Sequence, residues 1–172
     1  MRLSVIVAAF NDLDTVSSAI GAVRDCGVPD LQIVVVDDAS TVGTADLLKG
    51  PLGAEVDIVV HHSLNMGREV LKAGIKMAKG FHIIFQDTYV EYSPNEYSAL
   101  IDSLRKSGAD AAYRPRVLGR GLFEVSPFWQ LMVNGFLTLV SNFFTGYRIT
   151  DMQTSFKLFP SEFLKSVEFE EN

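Results

Sequence analysis

Acidic side chains follow three of the strands that the sequence predicts, at the point where each strand ends. These acids are Asp12 after the first strand, Asp37 and Asp38 after the second, and Asp87 and Glu91 after the fourth. Like charges gathered in one place repel one another, so a bound cation is the simplest compensation. Closely placed hard oxygen ligands suit Mg²⁺ or Mn²⁺, which could in turn hold a nucleotide diphosphate. The alternative interpretation is a set of ordinary surface acids in strand-to-helix loops.

Five apolar runs alternate with helical segments, and this alternation predicts the elements that would position the acids. The predicted strands cover residues 3–10, 31–36, 56–60, 81–86 and 109–113, with helices between them. Such an order is typical of an α/β fold with a doubly wound, mostly parallel sheet flanked by helices. The carboxyl ends of parallel strands lie at one edge, where open α/β sheets bind ligands.

Size and composition exclude several classes of protein. The chain has 172 residues, of which 48% are hydrophobic, enough for one domain with a filled core rather than a disordered segment. Its net charge of -6 argues against a nucleic acid partner, which requires a basic surface. The single cysteine, Cys26, cannot form an internal disulfide, and the first apolar run is too short for a signal peptide. A cytoplasmic location is therefore expected.

Several other nucleotide-binding and catalytic motifs are missing from the sequence. Residues 8–13, which end the first strand and begin the loop after it, contain no glycine, so they lack the G-x-G-x-x-G turn of dinucleotide folds, and the chain has no P-loop. A nucleotidyltransferase with a similar sheet would need a glycine-rich basic loop there, whereas this loop is acidic. No Ser-His-Asp or Cys-His arrangement is evident, and His61, His62 and His82 are interpreted as structural.

The segment 125–147 carries no charged residue and is long enough to span a bilayer. Its polar residues nevertheless share one helical face, which predicts an amphipathic helix rather than a spanning one. These residues are Gln130, Asn134, Thr138, Ser141, Asn142 and Thr145. Two interpretations stay open: a helix packed on the domain, and a helix lying peripherally on the cytoplasmic face of a membrane. The acidic end at 168–172 has no closing element after it, which suggests a fragment of a longer protein.

Six short motifs resemble those of the family 2 glycosyltransferases, in the same order and spacing. VIVAAFND at 5–12 is similar to V-x-x-P-x-Y-N-E, IVVVDDASTVGT at 33–44 to I-V-V-V-D-D-x-S-x-D-G-T, and NMGR at 65–68 to N-x-G-K. QDTYVEY at 86–92 is similar to Q-D-A-D-L-E-Y, residues 110–116 to D-V-V-x-G-S-R, and DMQTSFKLF at 151–159 to D-x-x-T-G-F-K-x-F. The pattern resembles most the branch of dolichyl- or polyprenyl-phosphate mannose synthases.

This resemblance implies a GT-A fold that transfers a sugar from a GDP-, UDP- or dTDP-linked donor to an acceptor. In the similar branch the acceptor is a polyprenyl phosphate and the cofactor is Mg²⁺ or Mn²⁺. Residues 1–113 would form the nucleotide-sugar-binding α/β domain, and residues 114–172 an acceptor-side segment of the same domain with the amphipathic helix. By position, the nucleotide would contact Ala8, Phe10, Asp12, Asp37, Asp38, Gly67 and Arg68.

The resemblance also implies roles for the remaining site residues. Asp87 and Glu91 would hold the metal. Arg116 would face the acceptor phosphate, with Arg148 and Lys157 assisting it. The catalytic residues would then be Asp87 and Arg116.

The chain departs from the family pattern at Tyr89, where the D-x-D motif has its second aspartate. A neutral phenol is a poor ligand for Mg²⁺, so metal affinity is expected to fall. An active enzyme would work by direct displacement at the anomeric carbon, and a lipid phosphate needs no general base, whereas a sugar hydroxyl does. Two functions stay open: a metal-assisted transferase, and a domain that binds nucleotide without turnover.

Overall fold

The computed structural model describes residues 2–41, 43–67, 69–89, 93–113, 128–146 and 156–167. The chain forms two compact units, one of residues 1–112 with 158–172 and the other of residues 113–157. The functional division predicted at residue 113 stays a prediction.

The described residues build one six-stranded sheet. Its strands are β1 Leu3–Ala9, β2 Leu31–Asp37, β3 Ile58–His61, β4 His82–Asp87, β5 Ala112–Tyr113 and β6 Lys157–Pro160. Their spatial order is β3-β2-β1-β4-β6-β5. β1 pairs in parallel with both β2 and β4, β2 pairs in parallel with β3, and β6 runs antiparallel to β4. The predicted α/β fold with a mostly parallel sheet is therefore confirmed.

The strand β6 is the part of the sheet that the sequence did not predict. It has four residues and ends at Pro160, which has no backbone N–H, so its composition is a weak strand signal. Its partner is β4, with Leu158 opposite Ile84 and Phe159 opposite Ile83. A pairing between segments so far apart in the chain leaves no local periodicity from which it could be recognised.

Helices follow the strands in the order expected for a doubly wound fold. They are α1 Val16–Arg24, α2 Thr44–Lys49, α3 Glu69–Met77, α4 Tyr97–Ser107, α5 Phe128–Thr145 and α6 Ser161–Ser166, with short 3₁₀ turns at Pro51–Glu55 and Pro94–Glu96. In α1 the buried residues recur at helical spacing, so one face packs on the sheet. These residues are Val16, Ala19, Ile20 and Val23.

The central strand β1 is buried on both faces, which is why all its residues except Ser4 are apolar. Helix α3 lies close against it at Gly74, where an added Cβ would come 2.5 Å from Cγ2 of Ile6. Only glycine permits this approach without displacing the isoleucine. This close packing fixes α3 against the middle of β1.

Candidate functional site

The acidic strand ends meet at one edge of the sheet. Asp37 is the last residue of β2 and Asp87 the last of β4, and both strands pair in parallel with β1. Their register partners on β1 are the neighbours Ala9 and Ala8, and Asp12 lies three residues beyond the end of that strand. Two strand spacings separate the backbones of Asp37 and Asp87, which is about 10 Å. The sheet therefore brings Asp37 and Asp87 to one rim, with Asp12 in the loop after β1.

Asp12 shapes the turn that leads from β1 into α1. Its Oδ2 accepts a hydrogen bond from the N–H of Phe10 at 3.0 Å, and its carbonyl oxygen accepts from the N–H groups of Thr15 and Val16. The side chain of Phe10 beside this turn is 46% exposed. Asp12 thus orders the loop, and the half-exposed ring of Phe10 lies beside it.

The loops after β1 and β2 are joined by hydrogen bonds that the sequence did not predict. The N–H of Asn11 donates to Oγ of Ser40 at 2.9 Å, and Oδ1 of Asn11 accepts from the N–H of Thr41 at 2.8 Å. Asn11 has φ +57 and Ala39 has φ +62, a left-handed conformation that asparagine tolerates better than alanine. An asparagine directly after a buried strand was the available signal for this turn.

Asp37 is 2% exposed, and both of its carboxylate oxygens have partners. Oδ1 accepts from the N–H of Ser40 at 3.2 Å, and Oδ2 lies 3.0 Å from Nδ1 of His61. His61 is the register partner of Asp37 on β3. The predicted nucleotide-binding acid therefore lies beneath the surface, held between a loop amide and an imidazole.

Asp38 is 5% exposed and holds the backbone of the loop after β3. Its Oδ1 accepts from the N–H of Met66 at 2.7 Å, and its Oδ2 accepts from the N–H of Gly67 at 3.0 Å. Nδ1 of His62 lies 3.5 Å from Oδ1 of Asp38 without hydrogen-bond geometry. Gly67 has φ +54, which suits glycine. Asp38 thus positions the loop that carries Gly67, and a direct contact of Asp38 with nucleotide stays a prediction.

On the other side of β1, a buried pair supports the end of β4. The hydroxyl of Tyr97 donates to Oε1 of Gln86 at 2.7 Å, and Nε2 of Gln86 donates to the carbonyl oxygen of Asp87 at 3.2 Å. Burial raises the pKa of Tyr97 above its ordinary value, with Cys26 adding to the effect, so the phenol keeps its proton. Asp87 itself is exposed at the tip of the strand.

The remaining predicted site residues fall in two groups. Lys157 is half-buried at the start of β6, and Tyr89, the residue at the second D-x-D position, is 67% exposed. The others lie outside the described residues; they are Arg68, Glu91, Arg116 and Arg148. Within the described ranges, no group of three His, Cys, Asp or Glu side chains could hold a metal ion. The predicted ligand Glu91 lies outside these ranges.

A cavity of about 490 Å³ opens beside the end of β3 and the first turns of α3. Imidazole, ammonium and apolar side chains line it together with one carboxylate. These residues are His61, His62, Ser63, Leu64, Met66, Glu69, Lys72, Ala73 and Lys76. The sequence analysis assigned no site role to the two histidines, yet their rings stand between this cavity and the carboxylates of Asp37 and Asp38.

In the second unit, helix α5 turns apolar side chains toward solvent. Phe136, Leu139, Phe143 and Phe144 are all at least 66% exposed and recur at helical spacing, whereas the polar Thr138 is 6% exposed. Among the predicted polar positions, Thr138 is therefore buried rather than facing solvent, and the amphipathic character of the segment 125–147 stays a prediction. No helix in the described part of the chain is long and apolar enough to cross a membrane.

Comparison with protein families and curated proteins agrees with the motifs. The model of the family described as "Glycosyl transferase family 2" matches residues 4–167. The chain is 28% identical over 170 residues to uncharacterized protein MJ1222 of Methanocaldococcus jannaschii, covering 96% of this chain and 68% of that protein. It is 22% identical over 176 residues to the undecaprenyl-phosphate mannosyltransferase of Micrococcus luteus, and the match covers 99% of this chain and 71% of that protein.

Solved structures with the same fold include enzymes that hold nucleotides. The mannosyltransferase PcManGT from Pyrobaculum calidifontis, in complex with GDP-Man and Mn²⁺, matches with a TM-score of 0.66 at 18% identity, covering 95% of this chain and 46% of that one. S. aureus TarS 1-349 in complex with UDP matches with a TM-score of 0.65 at 20% identity, and the match covers 96% of this chain and 48% of that one. The chain thus spans less than half the length of these two structures, and the predicted GT-A fold is confirmed.

Proposed function

Because the chain belongs to glycosyl transferase family 2, we propose that it transfers a sugar from a nucleotide-sugar donor bound at the edge where Asp12, Asp37 and Asp87 converge. That convergence is the observation that carries the proposal, since three separate strands bring their acids to one rim. The position agrees with the general rule that open α/β sheets bind ligands beyond the carboxyl ends of their strands.

The loops at this edge suit a nucleoside. The ring of Phe10 is half exposed beside a backbone already fixed by Asn11 and Ser40, so it offers an apolar surface for a base at little ordering cost. Ala8, half-buried near the end of β1, is a further proposed contact of the nucleotide. Gly67, held by Asp38, and Arg68 after it would contact the nucleotide from the loop after β3.

The carboxylate at the end of β4 suits a divalent cation. Asp87 presents an exposed carboxylate there, and Mg²⁺ or Mn²⁺ commonly binds through one or two carboxylates together with substrate phosphates. Glu91 is the second proposed ligand, while the phenol of Tyr89 adds little. Bound at Asp87, the cation would neutralise charge on the departing nucleoside diphosphate.

The proposed acceptor is a polyprenyl phosphate, and the proposed reaction is a direct displacement. An oxygen of the acceptor phosphate forms a bond to the anomeric carbon while the bond from that carbon to the diphosphate breaks, and the electron pair leaves with the nucleoside diphosphate. The phosphate is already anionic, so no general base is required. Arg116, with Arg148 and Lys157, would orient it by charge-assisted hydrogen bonds. The name of the Micrococcus luteus relative supports this acceptor class.

The proposed location is peripheral, on the cytoplasmic face of a membrane, and the exposed apolar residues of α5 support the contact with a membrane surface. Its exposed side carries Phe136, Leu139, Phe143 and Phe144, with no charge along the helix. Such a face gains free energy by entering the boundary between headgroups and acyl chains, where a lipid acceptor has its phosphate. The helix would thereby hold the protein at the surface where the lipid acceptor lies.

The experiment offers GDP-, UDP- and dTDP-linked sugars to the full-length protein that contains this chain, with a short-chain polyprenyl phosphate and either Mn²⁺, Mg²⁺ or EDTA. We expect sugar transfer from one donor class, loss of transfer with EDTA, and binding to vesicles that weakens in Phe143→Ser. Transfer to a free sugar but not to the lipid phosphate would contradict the acceptor, and no nucleotide binding at all would contradict the function.

A second candidate is a domain that binds nucleotide without turnover, and exposed Tyr89 favours it because the D-x-D position lacks its carboxylate. The substitution Tyr89→Asp distinguishes this candidate function from the proposed sugar transfer. A variant that gains transfer over an inactive parent identifies a site disabled by the tyrosine, whereas transfer by the parent itself excludes the second candidate.

A further inference from the structure

The imidazole of His61 is joined to the carboxylate of Asp37 across two neighbouring strands. Asp37 ends β2, His61 ends β3, and the two are register partners in the parallel ladder. Nδ1 of His61 lies 3.0 Å from Oδ2 of Asp37, whose side chain is almost completely buried. An ionised carboxylate only accepts hydrogen bonds, so the proton of this contact belongs to Nδ1 of the ring.

This contact is the first link of a hydrogen-bond network that crosses the edge of the sheet. The other oxygen of Asp37 accepts from the N–H of Ser40, and Oγ of Ser40 accepts from the N–H of Asn11. Asn11 lies in the loop after β1 that carries predicted nucleotide-binding residues. The ring of His61 therefore stands at one end of a network whose other end is the proposed donor-binding loop.

We propose that His61 is a positioning residue for the nucleotide-sugar donor, because its Nδ1–H holds Asp37 and, through Asp37 and Ser40, the loop that receives the donor. This inference rests on the proposed function of the edge. A loop that is already ordered in the free protein binds its ligand more tightly, since less freedom is lost on binding.

The surroundings of His61 indicate that its imidazole holds Asp37 in place rather than filling the apolar core. His61 lies outside the buried apolar core, and its side chain, 30% exposed, lines the cavity beside α3. Asp37, by contrast, is enclosed and depends on its partners to satisfy its charge. Removing the imidazole should therefore disturb the carboxylate and its network more than the core.

The experiment compares the wild type with three variants at pH 7.5. His61→Leu removes the hydrogen-bond donor, and His61→Asn keeps an N–H donor near the position of Nδ1. His82→Asn changes a histidine that begins β4 at the opposite edge of the sheet. Affinities for GDP and UDP are measured by calorimetry with Mn²⁺, KM and kcat are measured with the nucleotide sugar, and thermal unfolding reports the folded fraction.

We expect His61→Leu to weaken nucleotide binding and to raise the donor KM roughly tenfold, with a much smaller change in kcat, because a buried carboxylate loses its partner. His61→Asn should recover most of the affinity, and His82→Asn should match the wild type. Where His61→Leu folds poorly, Ser40→Ala cuts the same network at its next link and should reproduce the effect on KM.

Three results would overturn the inference. Equal nucleotide affinity in His61→Leu and the wild type would do so while leaving the proposed function intact. An equal loss in His61→Leu and His61→Asn would show that the hydrogen bond is not the cause. A wild-type protein that binds neither GDP nor UDP would overturn the proposed function, and the inference with it.

Discussion

The hydroxyl of Tyr97 donates a hydrogen bond of 2.7 Å to Oε1 of Gln86, inside the core and one residue before Asp87. Tyr97 is completely buried at the start of α4, whereas Asp87 is exposed at the end of β4. The same glutamine donates to the carbonyl oxygen of Asp87. The buried phenol thus fixes the backbone from which the proposed metal ligand projects.

Tyr97→Phe should lower the free energy of unfolding by about 1–2 kcal/mol, because a buried amide oxygen loses a hydrogen-bond donor without a change in packing. Urea denaturation measures the effect. Ser98→Ala, an exposed position on the same helix, serves as the control and should change stability by less than about 0.5 kcal/mol. Equal stability of Tyr97→Phe and the wild type would show that this hydrogen bond does not support the strand end.

Asp87→Asn should reduce sugar transfer by roughly 100-fold or more, because a neutral amide binds a divalent cation and the charge beside it far less well. Tyr89→Asp should act in the opposite direction and lower the Mn²⁺ concentration needed for half-maximal transfer. Both are read from initial rates over a Mn²⁺ titration, with unfolding curves to show that the variants fold. Full activity in Asp87→Asn would remove Asp87 from the proposed metal site.

Asp38→Asn should destabilise the loop after β3 by about 1–3 kcal/mol, since asparagine has one acceptor oxygen where the buried Asp38 offers two to the amides of Met66 and Gly67. Hydrogen exchange at these two amides should speed up more than exchange in β1. Asp102→Asn, exposed on α4, is the matched control. Unchanged protection of both amides would mean that Asp38 does not hold the loop.

His82 should make the protein less stable as the pH falls. Burial lowers the pKa of His82 in the folded protein, and its Nδ1 has no hydrogen-bond partner among the described residues. The unfolded chain then binds more protons than the folded one below about pH 6.5, so stability from this group is present above that pH and is lost on acidification. Unfolding free energies of the wild type and His82→Asn between pH 5.5 and 8 measure it.

Below about pH 6.5, the unfolding free energy of the wild type should fall with decreasing pH more steeply than that of His82→Asn. Comparing slopes within one pair isolates His82 from His61 and His62, which are present in both proteins. Parallel curves for the two proteins would show that His82 is free to take up a proton in the folded state.

Local patterns in the sequence were enough to predict the strands of the donor edge and the acids at their ends. A buried parallel strand needs apolar residues on both faces, so β1, β2 and the middle of β4 are mostly apolar in sequence. The acids Asp37 and Asp87 end β2 and β4, and Asp12 follows β1. Parallel strands place their carboxyl ends on the same side, which made the convergence of these acids predictable before any contact was known.

Only the tertiary structure decided which partners those acids have. The contacts of Asp37 with His61, and of Asp38 with Met66 and Gly67, join residues 24 to 29 positions apart, and no periodicity marks such pairs. The antiparallel strand β6 arises in the same way, because a four-residue segment becomes a strand only when β4 offers it a free edge. Local composition determines where a strand ends, whereas the packing of distant segments determines what each side chain at that end contacts.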